Sequence, residues 1–196
     1  MFANTLFEVH AESLDGAGSV LEGSNRLILL DRDGVLNVDC PDSVKGLDEL
    51  EVEPRAAFAC SLLAHAGYGL AVVTNQSAVG RGFMDRPTLD AVNAELDHRL
   101  GGVIDHWYVC DHAPEAGCRC RKPDTLLLER AHAELGFVPA DTWFVVDAGR
   151  DIEAARRFGC RPALVRTGKG AATAAEYPDV PCWDDLAAFA EELTDR

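Results

Sequence analysis

The stretch RLILLDRDGVLN, residues Arg26 to Asn37, decides the fold of this chain. Its consecutive apolar residues from Leu27 to Leu30 suit a β-strand that is buried on both faces, as strands of parallel sheets are. Asp31 and Asp33 follow this strand directly, and Gly34 allows the backbone to turn sharply just beyond them. The stretch therefore predicts a buried strand whose carboxyl end presents two carboxylates.

Short apolar runs rich in Val, Ile and Leu alternate with helix-like segments along the rest of the chain. Helices are predicted over residues 54–66, 86–100, 125–135 and 152–158 and in the tail WDDLAAFAEEL, and strands over GLAVVTN, IDHWYVC, TWFVVD and ALVRTG. This alternation is typical of an α/β fold, here a Rossmann-like, mostly parallel sheet with helices on both faces. We expect one domain over residues 26–196, preceded by an N-terminal extension of unknown role, residues 1–25.

Composition and charge restrict the possible functions. The 196 residues carry 18 Lys and Arg against 33 Asp and Glu, a net charge of -15. Such a charge repels a nucleic-acid backbone, so we expect neither DNA nor RNA as a partner. It also repels an anionic substrate, so a phosphate site needs local cations and a metal ion. Without a long apolar run or a recognisable signal peptide, the sequence predicts a cytoplasmic protein with no membrane partner, and we expect a monomer.

Polar residues end several of the predicted strands. Ligands of open parallel sheets bind beyond the carboxyl ends of the strands, so these residues are expected to share one site. We place Asp31, Asp33 and Asp147 in a site for Mg2+, completed by a backbone carbonyl and waters. Asp31 is then a nucleophile that forms an aspartyl-phosphate, while Asp33 protonates the leaving oxygen and later deprotonates the hydrolytic water. Taken alone, Asp-x-Asp-Gly is equally typical of an Asx-turn or a calcium-like loop.

The segments DRDGVLN, VVTNQ and VVDAGRD follow predicted strands in that order, and together they resemble the motifs of the haloacid dehalogenase superfamily of phosphatases. The resemblance covers residues 26–168. It implies that Asp31 is the nucleophile and Asp33 the general acid and base. It also implies that Thr74 and Asn75 bind phosphate, that Lys122 stabilises the phosphoryl group, that Asp147 binds the metal and that Asp151 supports the site. One departure is Val146, where the superfamily usually has Gly.

The segment CDHAPEAGCRCRKP contains a compact cluster of metal-binding residue types. It combines a C-x-H pair with a C-x-C pair, which supply three thiolates and one imidazole for a closed tetrahedral zinc site. The predicted zinc ligands are Cys110, His112, Cys118 and Cys120. The alternative is a mobile loop with reduced cysteines. Because Arg121 and Lys122 follow at once, a zinc ion in this loop would fix two cations near the phosphate site.

The short first motif, the predicted zinc loop and the later VRTGKG resemble the D-glycero-D-manno-heptose 1,7-bisphosphate phosphatase branch, and the similar histidinol-phosphate phosphatases share the loop. This resemblance implies removal of the C7 phosphate, no large cap domain, and substrate recognition by Arg121 and by loops that include residues 39–45. That branch commonly has Gly-Tyr-Val after the first motif, where this chain has VDCPDSVKG. Two other hypotheses therefore stay open: a histidinol-phosphate phosphatase and a catalytically idle, zinc-stabilised binding protein.

Overall fold

Six parallel strands form one sheet in a computed structural model that describes residues 26–41 and 43–195; the predicted extension over residues 1–25 lies outside these ranges. The strands are β1 (Leu27–Leu30), β2 (Gly69–Asn75), β3 (His106–Cys110), β4 (Trp143–Val146), β5 (Arg161–Val165) and β6 (Cys182–Trp183). Their order in the sheet is β3-β2-β1-β4-β5-β6. Every neighbouring pair is parallel, which confirms the predicted α/β sheet.

Seven α-helices accompany the strands in the described ranges. They are α1 (Ala56–His65), α2 (Ser77–Gly80), α3 (Arg86–Leu100), α4 (Leu126–Leu135), α5 (Gly149–Phe158), α6 (Gly170–Glu176) and α7 (Leu186–Thr194). The prediction that the first helix starts at Pro54 is wrong by two residues, because Arg55 has a left-handed backbone with a φ of 64°. The sequence pattern does not predict α2 or α6, since α2 is only four residues long and α6 consists mainly of small residues.

Helices cover both faces of the sheet, as the alternating pattern predicts. Along β1, Ile28 and Leu30 join the core on one face and Leu29 joins the core on the other, because successive strand side chains alternate. The first face packs against α1, α3 and α7, and the second against α4 and α5. These three β1 side chains are at most 1% exposed, which explains why the strand is apolar without interruption.

The described connections around β2 contain no inserted domain. Between β1 and β2 the chain forms a short 3-10 turn at Leu47–Glu49 and then α1, and between β2 and β3 it forms α2 and α3. This arrangement confirms the predicted absence of a large cap. In the part of the chain that the structure describes, none of the helices has the length and apolarity needed to cross a membrane.

The strand order fixes where polar residues meet. Strand β1 lies between β2 and β4, so the chain leaves three adjacent strands at Asp31, Asn75 and Asp147 on the same edge of the sheet. The backbone N of Asp31 still donates a hydrogen bond of 2.9 Å to the carbonyl oxygen of Val145 in β4. In open parallel sheets, this edge is where connections to opposite faces separate and leave a crevice for ligands.

Candidate active site

Asp31 and Asp151 share the ammonium group of Lys122 at this edge of the sheet. Lys122 Nζ lies 2.9 Å from Asp31 Oδ1 and 2.8 Å from Asp151 Oδ1. It also donates a hydrogen bond of 2.7 Å to the carbonyl oxygen of Val73 in β2. All three charged side chains are at most 3% exposed, so their attraction is only weakly screened by water. The structure thus brings together three residues that the sequence places in separate motifs.

Asp31 and Asp151 differ in the direction of their pKa shifts, although both contact Lys122. Burial alone would raise the pKa of Asp31, but the charges of Lys122 and Arg150 and a hydrogen bond from the backbone N of Arg32 hold that pKa below its ordinary value. Burial, with repulsion from Asp31, raises the pKa of Asp151 to about 6 in spite of Lys122. Asp31 is therefore ionised at neutral pH, as a nucleophile must be.

Asp147 completes a group of three buried carboxylates with Asp31 and Asp151, and one oxygen of each lies within 4.8 Å of the others. Burial and repulsion from Asp31 raise the pKa of Asp147 to about 7. Its Oδ2 accepts a hydrogen bond of 2.9 Å from the backbone N of Lys169, whereas the buried Oδ1 has no hydrogen-bond partner among the described residues. A small divalent cation that prefers oxygen ligands would satisfy that oxygen and relieve the repulsion, so the group fits Mg2+.

Two glycines with left-handed backbones enclose the Asp147 carboxylate. The φ angle is 79° at Gly34 and 55° at Gly168, and a Cβ on either residue would lie 2.3 Å from Asp147 Oδ2. The sharp turn predicted at Gly34 is thus present, and it lets the backbone touch the acidic group. Val146, the departure from the superfamily pattern, is fully buried in the core beneath α4 and α5 and leaves the following carboxylate in the cluster.

Asp33 lies outside this group of three carboxylates and is held by its own set of donors. Its Oδ1 accepts hydrogen bonds from Arg32 Nε at 3.2 Å and Nη2 at 2.8 Å and from Asn37 Nδ2 at 2.9 Å. Its Oδ2 accepts one from Gln76 Nε2 at 2.7 Å. The side chain is 17% exposed, whereas that of Arg32 is fully buried. Asp33 is therefore oriented by the protein and still reachable by a ligand.

Thr74 and Asn75, at the end of β2, contact residues of the site in different ways. Asn75 exchanges two hydrogen bonds with the backbone of Lys122, from its Nδ2 to the carbonyl oxygen at 3.2 Å and from the backbone N to its Oδ1 at 3.1 Å. Thr74 Oγ1 accepts a hydrogen bond of 2.9 Å from Gln76 Nε2. Asn75 thus fixes the segment that carries Lys122, and direct phosphate contact by either residue stays a prediction.

Two arginines contribute further positive charge near the carboxylates or beside Lys122. Arg150 Nε lies 3.8 Å from Asp151 Oδ1. Burial would lower the pKa of Arg150, but the negative charges of Asp151 and Asp31 keep that pKa above its ordinary value. Sequence reasoning missed Arg150, although its position directly before Asp151 in the last motif was a usable signal. Arg121, which the sequence does predict, is half-buried and precedes Lys122. Arg150 Nε and Arg121 Nη1 are buried without hydrogen-bond partners in the described ranges.

The cysteine and histidine cluster forms as the C-x-H and C-x-C spacing predicts. Its four ligand atoms all lie within 4.8 Å of one another. Cys110 Sγ is 3.6 Å from Cys118 Sγ and 3.3 Å from Cys120 Sγ, and His112 Nδ1 is 3.3 Å from Cys120 Sγ. Sulfur ligands around a tetrahedral zinc ion are separated by about 3.8 Å, given Zn–S bonds of about 2.3 Å. The cluster therefore has nearly the size of a closed zinc site.

Comparisons with known proteins extend this description. A family model described as HAD-hydrolase-like matches residues 119–189. The D-glycero-beta-D-manno-heptose-1,7-bisphosphate 7-phosphatase of Pseudomonas aeruginosa is 42% identical over 175 residues, which cover 87% of this chain and 98% of that protein. The Bordetella bronchiseptica protein of the same name is 40% identical over 178 residues, covering 86% of this chain and 97% of the relative.

Solved structures give the same result. The crystal structure of D,D-heptose 1,7-bisphosphate phosphatase from B. bronchiseptica, complexed with magnesium and phosphate, superposes with a TM-score of 0.83 at 36% identity over 87% of this chain and 98% of that one. The corresponding enzyme from Burkholderia thailandensis has a TM-score of 0.64 at 34% identity, covering 87% and 99% of the two chains. The chain therefore belongs to the heptose 1,7-bisphosphate phosphatase family of HAD-like hydrolases.

Proposed function

We propose that this phosphatase removes the C7 phosphate of D-glycero-D-manno-heptose 1,7-bisphosphate through a phosphorylated Asp31, as a step toward nucleotide-activated heptose. One observation carries the chemistry: Asp31 is paired with Lys122 and clustered with Asp147 and Asp151 beyond the carboxyl end of β1. The names of the relatives, and a neighbour that holds magnesium and phosphate, support the substrate.

The two oxygens of Asp31 have different surroundings, which supports a choice between them as the attacking atom. Oδ1 accepts a hydrogen bond of 2.8 Å from the backbone N of Arg32 and pairs with Lys122. We therefore assign the attack on phosphorus to Oδ2. Bond formation at Oδ2 leaves the Oδ1 contacts in place, so the side chain keeps its orientation while the aspartyl-phosphate forms and breaks.

Asp33 moves the proton in both half-reactions. In the first, it gives a proton to the sugar oxygen as the bond between that oxygen and phosphorus breaks. In the second, the same carboxylate takes a proton from the water that attacks the phosphoryl group on Asp31. The free sugar hydroxyl and inorganic phosphate are the products. Asp31 returns to its carboxylate form and Asp33 to its protonated form, so atoms and charge balance over one turnover.

The whole chain has a net charge of -15, and cations at the site offset the repulsion that this charge exerts on an anionic substrate. Lys122 contacts Asp31 directly, and Arg150 and Arg121 each have a buried nitrogen without a hydrogen-bond partner in the described ranges. We assign these nitrogens to oxygens of the substrate phosphates. Mg2+, held by Asp31, Asp147 and a main-chain carbonyl, would neutralise charge between nucleophile and phosphoryl group. We leave the Asp33 side chain out of the metal contact because it lies outside the group of three carboxylates.

We further propose that Cys110, His112, Cys118 and Cys120 bind a structural zinc ion. All four positions of a tetrahedral ion are then filled by the protein, so this metal takes no part in the reaction. Its effect is positional, since Arg121 and Lys122 come directly after the last ligand. We also propose that the enzyme works as a cytoplasmic monomer, which light scattering of the purified protein would check.

A substrate panel with a trapping variant tests the function. Phosphate release from the heptose 1,7-bisphosphate, from histidinol phosphate and from p-nitrophenyl phosphate is measured with and without Mg2+. We expect magnesium-dependent turnover with the highest kcat/KM for the heptose, and phosphoryl transfer to Asp31 detected by mass spectrometry after acid quench. Asp31→Asn abolishes turnover, and the exposed control Asp179→Asn leaves it unchanged.

Three outcomes would contradict the proposal in different ways. A preference for histidinol phosphate would overturn the substrate but keep the chemistry. Retained activity in Asp31→Asn would overturn the nucleophile. Absence of magnesium-dependent turnover on every ester would favour the idle binding protein.

A further inference from the structure

Arg32 is a fully buried arginine that lies between the two aspartates of the first motif. Its side chain is 0% exposed, although arginine is among the residues least often buried completely. Its backbone N donates to Asp31 Oδ1 at 2.8 Å, and its carbonyl oxygen accepts hydrogen bonds from the backbone N of Leu36 at 2.8 Å and of Asn37 at 3.1 Å. The backbone of Arg32 thus stabilises the turn, and its guanidinium takes no part in these turn contacts.

The guanidinium connects helix α3 to Asp33. Arg32 Nε and Nη2 donate to Asp33 Oδ1, and Nη1 donates to Asn93 Oδ1 at 3.1 Å. Asn93 lies on the buried face of α3 and is only 6% exposed. A buried asparagine among the apolar residues of a helix needs a polar partner, and Arg32 is that partner. The contact fixes the third corner of the guanidinium plane against a rigid helix.

The donors around Asp33 treat its two oxygens unequally. Oδ1 accepts three hydrogen bonds, two from Arg32 and one from Asn37, whereas Oδ2 accepts one from Gln76. A carboxylate offers about four lone-pair directions over its two oxygens. Oδ1 is therefore saturated, and Oδ2 retains an acceptor position that can hold a proton. Gln76 itself is fully buried, so its direction is fixed as well.

We propose that Arg32, anchored by Asn93, is a positioning residue that locks Asp33 so that only Oδ2 exchanges the proton with the leaving oxygen and the water. This inference rests on the proposed function of Asp33. Arg32 donates to Oδ1 of both aspartates and not to the Oδ2 atoms assigned to the reaction, so it acts through the carboxylate that it holds. A displacement of a reacting group by about 1 Å costs on the order of 100-fold in rate, so such a lock has a measurable effect.

Substrates with different leaving groups separate positioning from a general structural role. The heptose phosphate ester needs protonation of its leaving oxygen, whereas p-nitrophenolate leaves with little help from an acid. We expect Arg32→Gln to slow the first turnover of the heptose ester by about 30–100-fold and the first release of p-nitrophenol by less than about 5-fold. Because Asp33 also serves as the base, phosphorylated Asp31 then accumulates and gives a burst of p-nitrophenol in rapid-quench experiments.

A double-mutant cycle tests whether Arg32 acts through Asp33. Arg32→Gln combined with Asp33→Asn is expected to be no slower than Asp33→Asn alone, since the first change only spoils the placement of a group that the second removes. Arg32→Lys keeps the charge but loses the fork that reaches Asp33 and Asn93 together, so we expect only partial recovery, with the same dependence on leaving group. Additive losses in the double variant would overturn the proposal.

Asn93→Leu keeps the test valid if the Arg32 variants do not fold. It preserves volume and the Arg32 charge but removes the anchor, and we expect the same leaving-group pattern with about a 5–10-fold loss for the heptose ester. Equal losses for both substrates, without accumulation of phosphoenzyme, would mean that Arg32 and Asn93 only stabilise the fold. If the wild-type protein hydrolyses neither ester, the proposed function itself fails, which differs from a failure confined to the variants.

Discussion

Among the individual side chains of the site, Arg150 has a buried Nε without a hydrogen-bond partner in the described ranges and is attracted to the carboxylates of Asp151 and Asp31. If it binds phosphate oxygens, Arg150→Gln should raise KM for phosphate esters by about 10–100-fold with a smaller change in kcat, because a charge-assisted hydrogen bond contributes about 1.5–3 kcal/mol. Steady-state kinetics measure both constants. Arg156→Gln is the matched control, since Arg156 lies on the same helix and pairs with the exposed Asp179. An equal rise in KM in both variants would contradict the assignment of Arg150 to phosphate binding.

Gly168 offers a test of the space around Asp147. An alanine there places its Cβ 2.3 Å from Asp147 Oδ2, so the carboxylate must move. We expect Gly168→Ala to raise the Mg2+ concentration for half-maximal activity by at least about tenfold. Overpacking typically costs about 1–3 kcal/mol, which is enough for a change of this size in metal affinity. Gly102→Ala is the control, because Gly102 has a φ of 68° and open space around it. That variant should lose about 1 kcal/mol of stability by left-handed strain and keep its magnesium dependence.

The sequence was informative about residues whose role follows from their place in a motif. Asp31, Lys122 and Asp147 are brought together as their motifs predict, because each follows a strand or loop at the same edge. Arg32 and Gln76 were not identified as functional, since their task depends on which atoms they meet across the fold. No local pattern states that a charged side chain turns inward to meet an asparagine on α3.

At the level of connected elements, the predicted zinc loop joins β3 to α4 and carries the cations into the site. Cys110 ends β3, and Gly80 at the end of α2 packs so closely that a Cβ there would lie 2.2 Å from the backbone N of Ala113. Burial raises the pKa of the Cys110 thiol to about 12 when no metal is bound. Zinc needs thiolates, so its binding must displace protons from this loop.

Zinc removal should therefore act on phosphate binding through the loop. We expect zinc added to the metal-free protein to release protons, measured with a pH indicator in weak buffer. Cys118→Ser should lower the zinc content and raise KM by about tenfold, because Arg121 and Lys122 lose their support. Removal of groups that orient a site typically has an effect of about this size. Cys182→Ser, a change at a cysteine outside the cluster, is the control. Unchanged kinetics after complete loss of zinc would contradict the positional role.

Long, patterned elements were predictable and short ones were not. Helix α3 spans the predicted residues 86–100, since Asp85 caps its first turn by accepting a hydrogen bond of 2.9 Å from the backbone N of Thr88 and Gly101 ends it. Helix α2 and strand β6 have four and two residues, too few to show a period. The order of the strands depends on contacts between distant segments, so the alternating pattern predicts the layers and leaves the order open.

At the level of the whole molecule, an acidic chain places two of its cations among the buried carboxylates of its site. The net charge is -15, yet Lys122 and Arg150 lie among buried carboxylates at one edge of the sheet. Without a metal ion this edge is electrostatically strained, as the raised pKa of Asp147, about 7, and of Asp151, about 6, indicates. The fold thus tolerates an unfavourable site whose repulsion a divalent cation relieves, and stability should depend on both pH and Mg2+.

The direction of that dependence follows from the pKa shifts. Asp147 and Asp151 have raised pKa values in the folded state, so the stability they contribute is fully present below about pH 4 and is lost as pH rises through about 6 to 7. Asp31, whose pKa is lowered, contributes a constant amount above about pH 4. Between pH 5.5 and 8, the zinc-loaded protein in magnesium-free buffer should therefore lose stability as these two acids ionise.

Thermal unfolding of wild type and Asp147→Asn at several pH values isolates this contribution, because the other titrating groups are common to both proteins. We expect the wild-type Tm, relative to the variant, to fall by roughly 5 °C between pH 5.5 and 8, given that about 1 kcal/mol moves Tm by about 2–4 °C at this chain length. Added Mg2+ should raise the wild-type Tm most at pH 8, because Asp147 is already ionised there and can bind the ion without losing a proton. The Tm of the variant should stay nearly unchanged. A wild-type Tm that rises with pH relative to the variant would show that the three carboxylates do not repel one another as their burial implies.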